Sequence, residues 1–215
     1  MAREIGKAGK TLYKRLLRIA AVFGGVGLAI WLLIKLTAPW IGALALPLAL
    51  LAVVRMLQDK EVERLVVASA RGYRGEAQVG RLLSRLPSTW KVYHDVDLGG
   101  ENADHVVVGP AGVFNVEVKN YTGPVEARPN GLWVRGQRRD DLVRQAWRQA
   151  HKLQELLGVE VQPILVFLGK KVNGQVGRLW VMGEEDLLGH LKALPPRLTF
   201  AEAKQIGEVL ERRVR

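Results

Sequence analysis

Residues 104–123 read "DHVVVGPAGVFNVEVKNYTG", and the reading of this stretch decides the fold. Two runs rich in valine flank Gly-Pro-Ala-Gly, a short turn with proline in its middle, so the spacing predicts an antiparallel hairpin. Side chains two apart on a strand share a face, which sets Asn115, Glu117 and Lys119 on one side and Phe114, Val116 and Val118 on the other. Pairing Val108 with Val113 carries the register through Val107–Phe114, Val106–Asn115 and His105–Val116 to Asp104–Glu117. The two carboxylates then stand opposite each other with β-carbons about 5 Å apart. Like charges so placed destabilise a sheet unless something cationic lies between them. Hard oxygen ligands select Mg2+ or Mn2+ over zinc. Lys119, one step further along the same face, is placed to stabilise developing negative charge or to help activate a water.

Working outward, "YRGEAQVGRLLSRLP" predicts a helix whose stripe is Val79, Leu82, Leu83 and Leu86, ended by Pro87. Glu76 lies on the buried-facing side of that stripe, where a carboxylate needs a partner. Strands are expected at "WKVYHDVDL", "ADHVVVG" and "GVFNVEVKNY", and a hairpin at "PVEAR" and "LWVRG" around "PNG". "DDLVRQAWRQAHKLQELLG" predicts a helix with Asp140 and Asp141 at its start and Gly158 as its C-cap. "VQPILVFLG" suits a strand buried on both faces, "RLWVM" suits another, and helices near 184–193 and 199–213 end the chain. This order of elements gives an α/β fold with a mixed central sheet.

An aspartate, a short hairpin and then Glu-x-Lys resembles the PD-(D/E)xK nuclease superfamily, with Ala103-Asp104 in place of Pro-Asp and Glu117-Val118-Lys119 as the second half. With "RGEAQVGRLL" before it and "RQAWRQAHKLQELL" after it, the stretch resembles the NERD family, the nuclease-related domain, over roughly residues 72–170. That resemblance implies a restriction-endonuclease-like mixed sheet flanked by helices and Mg2+-dependent hydrolysis of phosphodiesters. It implies Asp104 and Glu117 as metal-binding acids, Glu76 as an outer metal ligand and Lys119 as the catalytic lysine. Gln145 matches a glutamine that orients active-site groups or nucleic acid in related nucleases. The sequence departs from the family pattern at Ala103, where a polar residue is usual, and at Leu142, where proline is usual.

The N-terminal quarter is of a different character. From Ile19 to Val54 the only charged residue is Lys35, which is enough for two short membrane-crossing helices and long for one. "KLTAPW" supplies the break, since Pro39 disfavours helix at Ala38 and Trp40 suits a membrane–water boundary. Arg3, Lys7, Lys10, Lys14, Arg15 and Arg18 precede the apolar run, and Arg55, Lys60 and Arg64 follow it. Both ends are therefore expected in the cytoplasm, with the tip outside. A cleaved signal peptide is disfavoured by the length of the apolar run, and a single signal anchor is the rival topology. The expected organisation is a basic N-terminus and two-helix anchor over 1–57, a helical linker over 58–71 and the nuclease-like domain over 72–215.

The formal charge is +11, but the first 54 residues hold seven basic groups and one acidic, leaving 25 against 20 in the remainder. Much of the basic excess thus flanks the apolar run and suits anionic lipid at a plasma membrane's inner face. The chain has no cysteine, which excludes disulfides and thiolate metal sites. His105 is expected to pack on the sheet face opposite Asp104, and His94, His151 and His190 show no metal spacing. Trp133, Trp147 and Trp180 are expected in the core or at edges. Arg135, Arg138 and Arg139 are the candidate contacts to a nucleic-acid backbone, DNA in preference to RNA. Two rival readings stand beside the nuclease: a non-catalytic membrane tether that binds nucleic acid or protein, and a membrane-bound structural protein whose basic flanks bind lipid.

Overall fold

The computed structural model describes residues 3–5, 21–22, 24–32, 36, 50–51, 55 and 60–214. The chain divides into two compact units, residues 11–71 and residues 1–10 with 72–215. In the first unit the described residues are helical, and the large apolar ones, among them Val22, Val26, Leu28, Ile30, Leu50 and Leu51, are exposed. The expected membrane hairpin falls largely outside the described residues. Among those described, no helix is long and apolar enough to cross a membrane.

The second unit is built on a seven-stranded mixed sheet. Its strands are β1 (Arg3–Ile5), β2 (Lys91–Asp97), β3 (Asn102–Gly109), β4 (Gly112–Lys119), β8 (Val161–Phe167), β9 (Asn173–Val176) and β10 (Leu179–Gly183). Their order across the sheet is β1-β2-β3-β4-β8-β10-β9. A separate three-stranded sheet joins β5 (Val125–Arg128), β6 (Gly131–Val134) and β7 (Gln137–Arg138). The helices are α1 (Lys60–Leu83), α2 (Asp140–Leu157), α3 (Glu184–Ala193) and α4 (Phe200–Glu211).

The β3–β4 hairpin turns through Pro110 and Ala111, closed by the pair Gly109–Gly112. A β-carbon on Gly109 would meet the Trp90 ring at 2.2 Å, so glycine lets the hairpin lie flat on that indole. β4 then runs parallel to β8, as β8 does to β10. This makes β8 central and buried on both faces, as its unbroken apolar run requires. α2 ends where Gly158, at φ 69°, donates its N–H to the Gln154 carbonyl at 2.8 Å. Thr199 and Glu202 form a reciprocal capping box at the start of α4.

One face of the sheet packs Val92, Val107, Phe114, Val116, Ile164 and Val166 against Val79, Leu83 and Leu86 beside α3. The other packs Tyr93, Val106, Val108 and Val113 against Ala150 and Leu153 of α2 and Ile206 and Leu210 of α4. Two features differ from the sequence reading. The expected linker and the Gly-Glu helix are one continuous α1, because neither Gly72 nor Gly75 breaks it. β1 and β9 are additional strands, each too short to carry a period-2 signal.

Candidate active site

Gly75 and Glu76 lie on α1 where the helix passes the end of β8. A β-carbon at position 75 would stand 2.5 Å from Leu168 Cδ1 and 3.6 Å from Asn120, so glycine allows the close approach that brings Glu76 to the sheet. On the sheet, the β3–β4 register follows the expected pairs Val108–Val113, Val107–Phe114, Val106–Asn115 and His105–Val116. It stops there. The expected Asp104–Glu117 pair is absent from the ladder, and this corrects the sequence reading. The Val118 N–H, which a continued antiparallel ladder would direct at the Ala103 carbonyl, instead donates to Asp104 Oδ2 at 2.8 Å. An acidic side chain thus takes over a backbone acceptor's place where β3 and β4 part.

Glu117 and Lys119 stay on one face of β4, as their spacing demands. Glu117 is 3% exposed. Its Oε1 accepts from Lys119 Nζ at 2.7 Å and from Gln145 Nε2 at 2.7 Å, while Lys119 Nζ also donates to Gln145 Oε1 at 3.0 Å. A closed triangle of carboxylate, ammonium and amide results. Gln145 is held there by α2, whose Leu142, Ala146, Ala150 and Leu153 are buried. Asn115, the third polar residue of that face, donates to Gln149 Oε1 at 3.1 Å and ties β4 to α2.

The acids feel one another. Glu76 is pushed up to about 7, chiefly by burial, then by the charges of Glu117 and Asp95, with Lys119 opposing. Asp104 is pushed well above the carboxylate range by burial and then by Glu117 and Glu76, although the Val118 N–H favours its anion. Burial pulls Lys119 down, but Glu117, Asp104 and Tyr121 outweigh it, so the ammonium persists above its ordinary range. Lys119 is therefore a cation here and no general base.

These shifts have a consequence for stability. Between the free value of 4.5 and the folded value of about 7, the native state binds the Glu76 proton more tightly than the unfolded chain does. The associated stability is complete below that window and is lost as pH rises through it. The metal-free protein is expected to lose up to about 3 kcal/mol from Glu76 in this window, and Glu76→Gln to flatten the profile. Unfolding midpoints at several pH values in a chelator test this, and equal slopes for the two proteins would contradict it. Glu101 acts in the opposite sense. Hydrogen bonds from Arg148 first, and from Lys152, lower it to about 2, so its share of stability is lost only on acidification below 4.5.

The remaining expected residues are placed as follows. Arg138 bonds Asp140 at 2.9 Å, and Arg139 bonds Asp141 through two nitrogens at 2.8 and 2.7 Å, so both cations are partly neutralised. Arg139 also donates to the Tyr121 hydroxyl at 3.0 Å and lies 4.9 Å over its ring. Arg135 is exposed at the β6–β7 turn in a left-handed conformation, φ 56°. Trp133 lies between Arg128 and Arg138, 4.9 and 5.8 Å from its ring. His105 is buried on the α1 side of the sheet with its Nδ1 2.7 Å from His94 Nδ1, and burial followed by His94 lowers it to about 3. The two rings are thus neutral packing partners.

The donor set fits a hard divalent cation in two respects. Its ligands are carboxylate oxygens, and Glu117 Oε2 is buried with no hydrogen-bond partner among the described residues. Among those residues, however, no group of three or more His, Asp or Glu side chains is gathered closely enough to hold a metal.

A mixed sheet flanked by helices, with aspartate, glutamate and lysine collected where two strands part, defines a nuclease-like α/β domain. Residues 71–168 match the family model described as NERD, nuclease-related domain, which supports placing this segment in that family. An uncharacterized protein of Bacillus anthracis is 38% identical over 73 residues, 31% of this chain. The match spans about a third of that relative's length, 34%. Among solved structures, SfsA of Pyrococcus furiosus in complex with Ca2+ is similar over 63% of this chain and 52% of its own, at 16% identity. Its TM-score of 0.24 makes that likeness too slight to bear on fold or activity.

Proposed function

We propose that the domain is a metal-dependent phosphodiesterase acting on nucleic acid, anchored at the inner face of the plasma membrane. One observation carries the reading. Glu117 spends one oxygen on Lys119 and Gln145 and leaves the other buried and unpartnered beside Asp104. Asp104 and Glu117 would hold Mg2+ or Mn2+, with water filling most of its shell and Glu76 behind. When bound, such a cation supplies a polarised phosphate oxygen and an activated water. The chain's own residues do the rest. Gln145 fixes Lys119 against Glu117, and the Lys119 ammonium faces the charge that develops on the phosphate. Arg135, with its cation outside the Asp140 and Asp141 pairs, is the first candidate for a backbone phosphate, with Arg138 and Arg139 beside it.

The test is incubation of the detergent-purified protein with DNA and RNA, with Mg2+, Mn2+ or chelator. Cleavage that requires a divalent cation is the expected result, DNA in preference to RNA. The lack of any three-acid metal group among the described residues favours the second reading, a non-catalytic tether on the same scaffold. Nucleic acid bound but never cleaved would establish the tether.

For the membrane, the apolar stretch 19–54 and the exposed Val22, Val26, Leu28, Ile30, Leu50 and Leu51 support an anchor. β1 supports two crossings over one. Arg3–Ile5 pair in parallel with Lys91–Tyr93, and a single crossing would put those partners on opposite sides of a bilayer. Because the chain has no cysteine, single cysteines report topology cleanly. Cysteines at Lys10 and Arg212 are expected to react with an impermeant maleimide from one side of vesicles, and a cysteine at Thr37 from the other. Labelling of Lys10 and Arg212 positions from opposite sides would contradict the hairpin.

A further inference from the structure

The β2–β3 ladder pairs His94 with His105 and Val96 with Ala103, and it omits the pair between them, Asp95 and Asp104. By register, Asp95, Asp104 and Glu117 fall in one row across β2, β3 and β4, and the ladder opens at this row. Asp95 is in the left-handed region, φ 57°, in mid-strand and 7% exposed. In a regular strand, Tyr93 and Val96 would face opposite sides. Here both pack in the cluster under α2 and α4. The left-handed residue makes the switch and leaves Asp95 beside His94, whose ring lies 3.3 Å from where a Gly80 β-carbon would stand. Asn102, which alternates with Ala103 onto this same side, donates Nδ2 to Asp95 Oδ1 at 2.6 Å. The carboxylate is thus turned towards α1 and oriented, near enough for its charge to be felt at Glu76. Independently, the buried Oε2 of Glu117 marks where a cation is missing a ligand contact.

We propose that Asp95 is a positioning residue of the same site, presenting a carboxylate from the left-handed step in β2 to the hydration shell of a hard divalent cation held by Asp104 and Glu117. A strained backbone that aims a buried acid into an acidic row favours a functional role over a turn that happens to carry aspartate. The inference rests on the metal-binding reading above.

The test is Mn2+ affinity by calorimetry on the full chain in detergent. Asp95→Asn keeps the left-handed tolerance and an acceptor for Asn102, and removes only the charge. It is expected to weaken Mn2+ binding about tenfold or more, the scale of outer-shell losses, without lowering the unfolding midpoint. Asp97→Asn, two residues on in the same strand, controls for loss of charge in general and is expected to leave the affinity unchanged. Wild-type affinity in Asp95→Asn, or an equal loss in Asp97→Asn, overturns the role of Asp95 and leaves the metal site standing. No Mn2+ binding by the wild type removes the metal reading and this inference with it.

Discussion

Replacing Lys119 with alanine is expected to abolish cleavage and to destabilise the protein at the same time. Removing a positioned cation from a phosphoryl site costs about 10^2–10^3 in rate. The structural loss arises separately. Lys119 and Glu117 side chains are only 14% and 4% exposed, so the substitution leaves a buried carboxylate with Gln145 as its remaining donor. Breaking such a pair by removing one partner costs about 3 kcal/mol or more. The two effects separate in the double variant. Glu117→Gln added to Lys119→Ala removes the unpaired charge, so stability should return in good part while cleavage should not. Activity and unfolding midpoints of the single and double variants check this. A double variant that regains both would mean that Lys119 is structural only.

Asp104→Asn is expected to separate activity from stability in the other direction. The asparagine oxygen can still accept the Val118 N–H that Asp104 Oδ2 takes at 2.8 Å. What is lost is a charge that Glu117 and Glu76 both oppose. The variant should therefore be more stable than the parent near neutral pH, by about 1 kcal/mol or more, which is a few degrees in unfolding midpoint for a domain of this size. Its metal-dependent cleavage should be lost. Asp104→Ala, which also discards the acceptor for Val118, should lack most of the gain. Reduced stability in Asp104→Asn would show that the like-charge crowding is already relieved in the native protein.

Much of this was legible in the sequence, and the misses have physical causes. The Gly-Pro-Ala-Gly turn fixed the hairpin register, because the side-chain period of a strand leaves no freedom once the turn is placed. That reasoning failed one pair from the site. Counting residues assumes backbone acceptors, and Asp104 supplied a side-chain acceptor in their place. Asp95 was missed for a related reason. Aspartate tolerates a left-handed backbone, so "YHDVD" shows no glycine to mark the step that turns its carboxylate. Extending the register from β3 to β2 would have shown it in line with Asp104 and Glu117. The arginines were over-read as free phosphate ligands, although "RRDD" at 138–141 already set two acids beside two bases. β1 was out of reach, since a three-residue strand depends on a partner about ninety residues away and leaves no local pattern.

The measurement that bears most directly on the site is anomalous diffraction from crystals grown or soaked in Mn2+. The account predicts one strong peak within coordination distance, about 2.1 Å for a small hard cation, of a carboxylate oxygen of Asp104 and of Oε2 of Glu117. Strong peaks elsewhere with none between those two residues would contradict it.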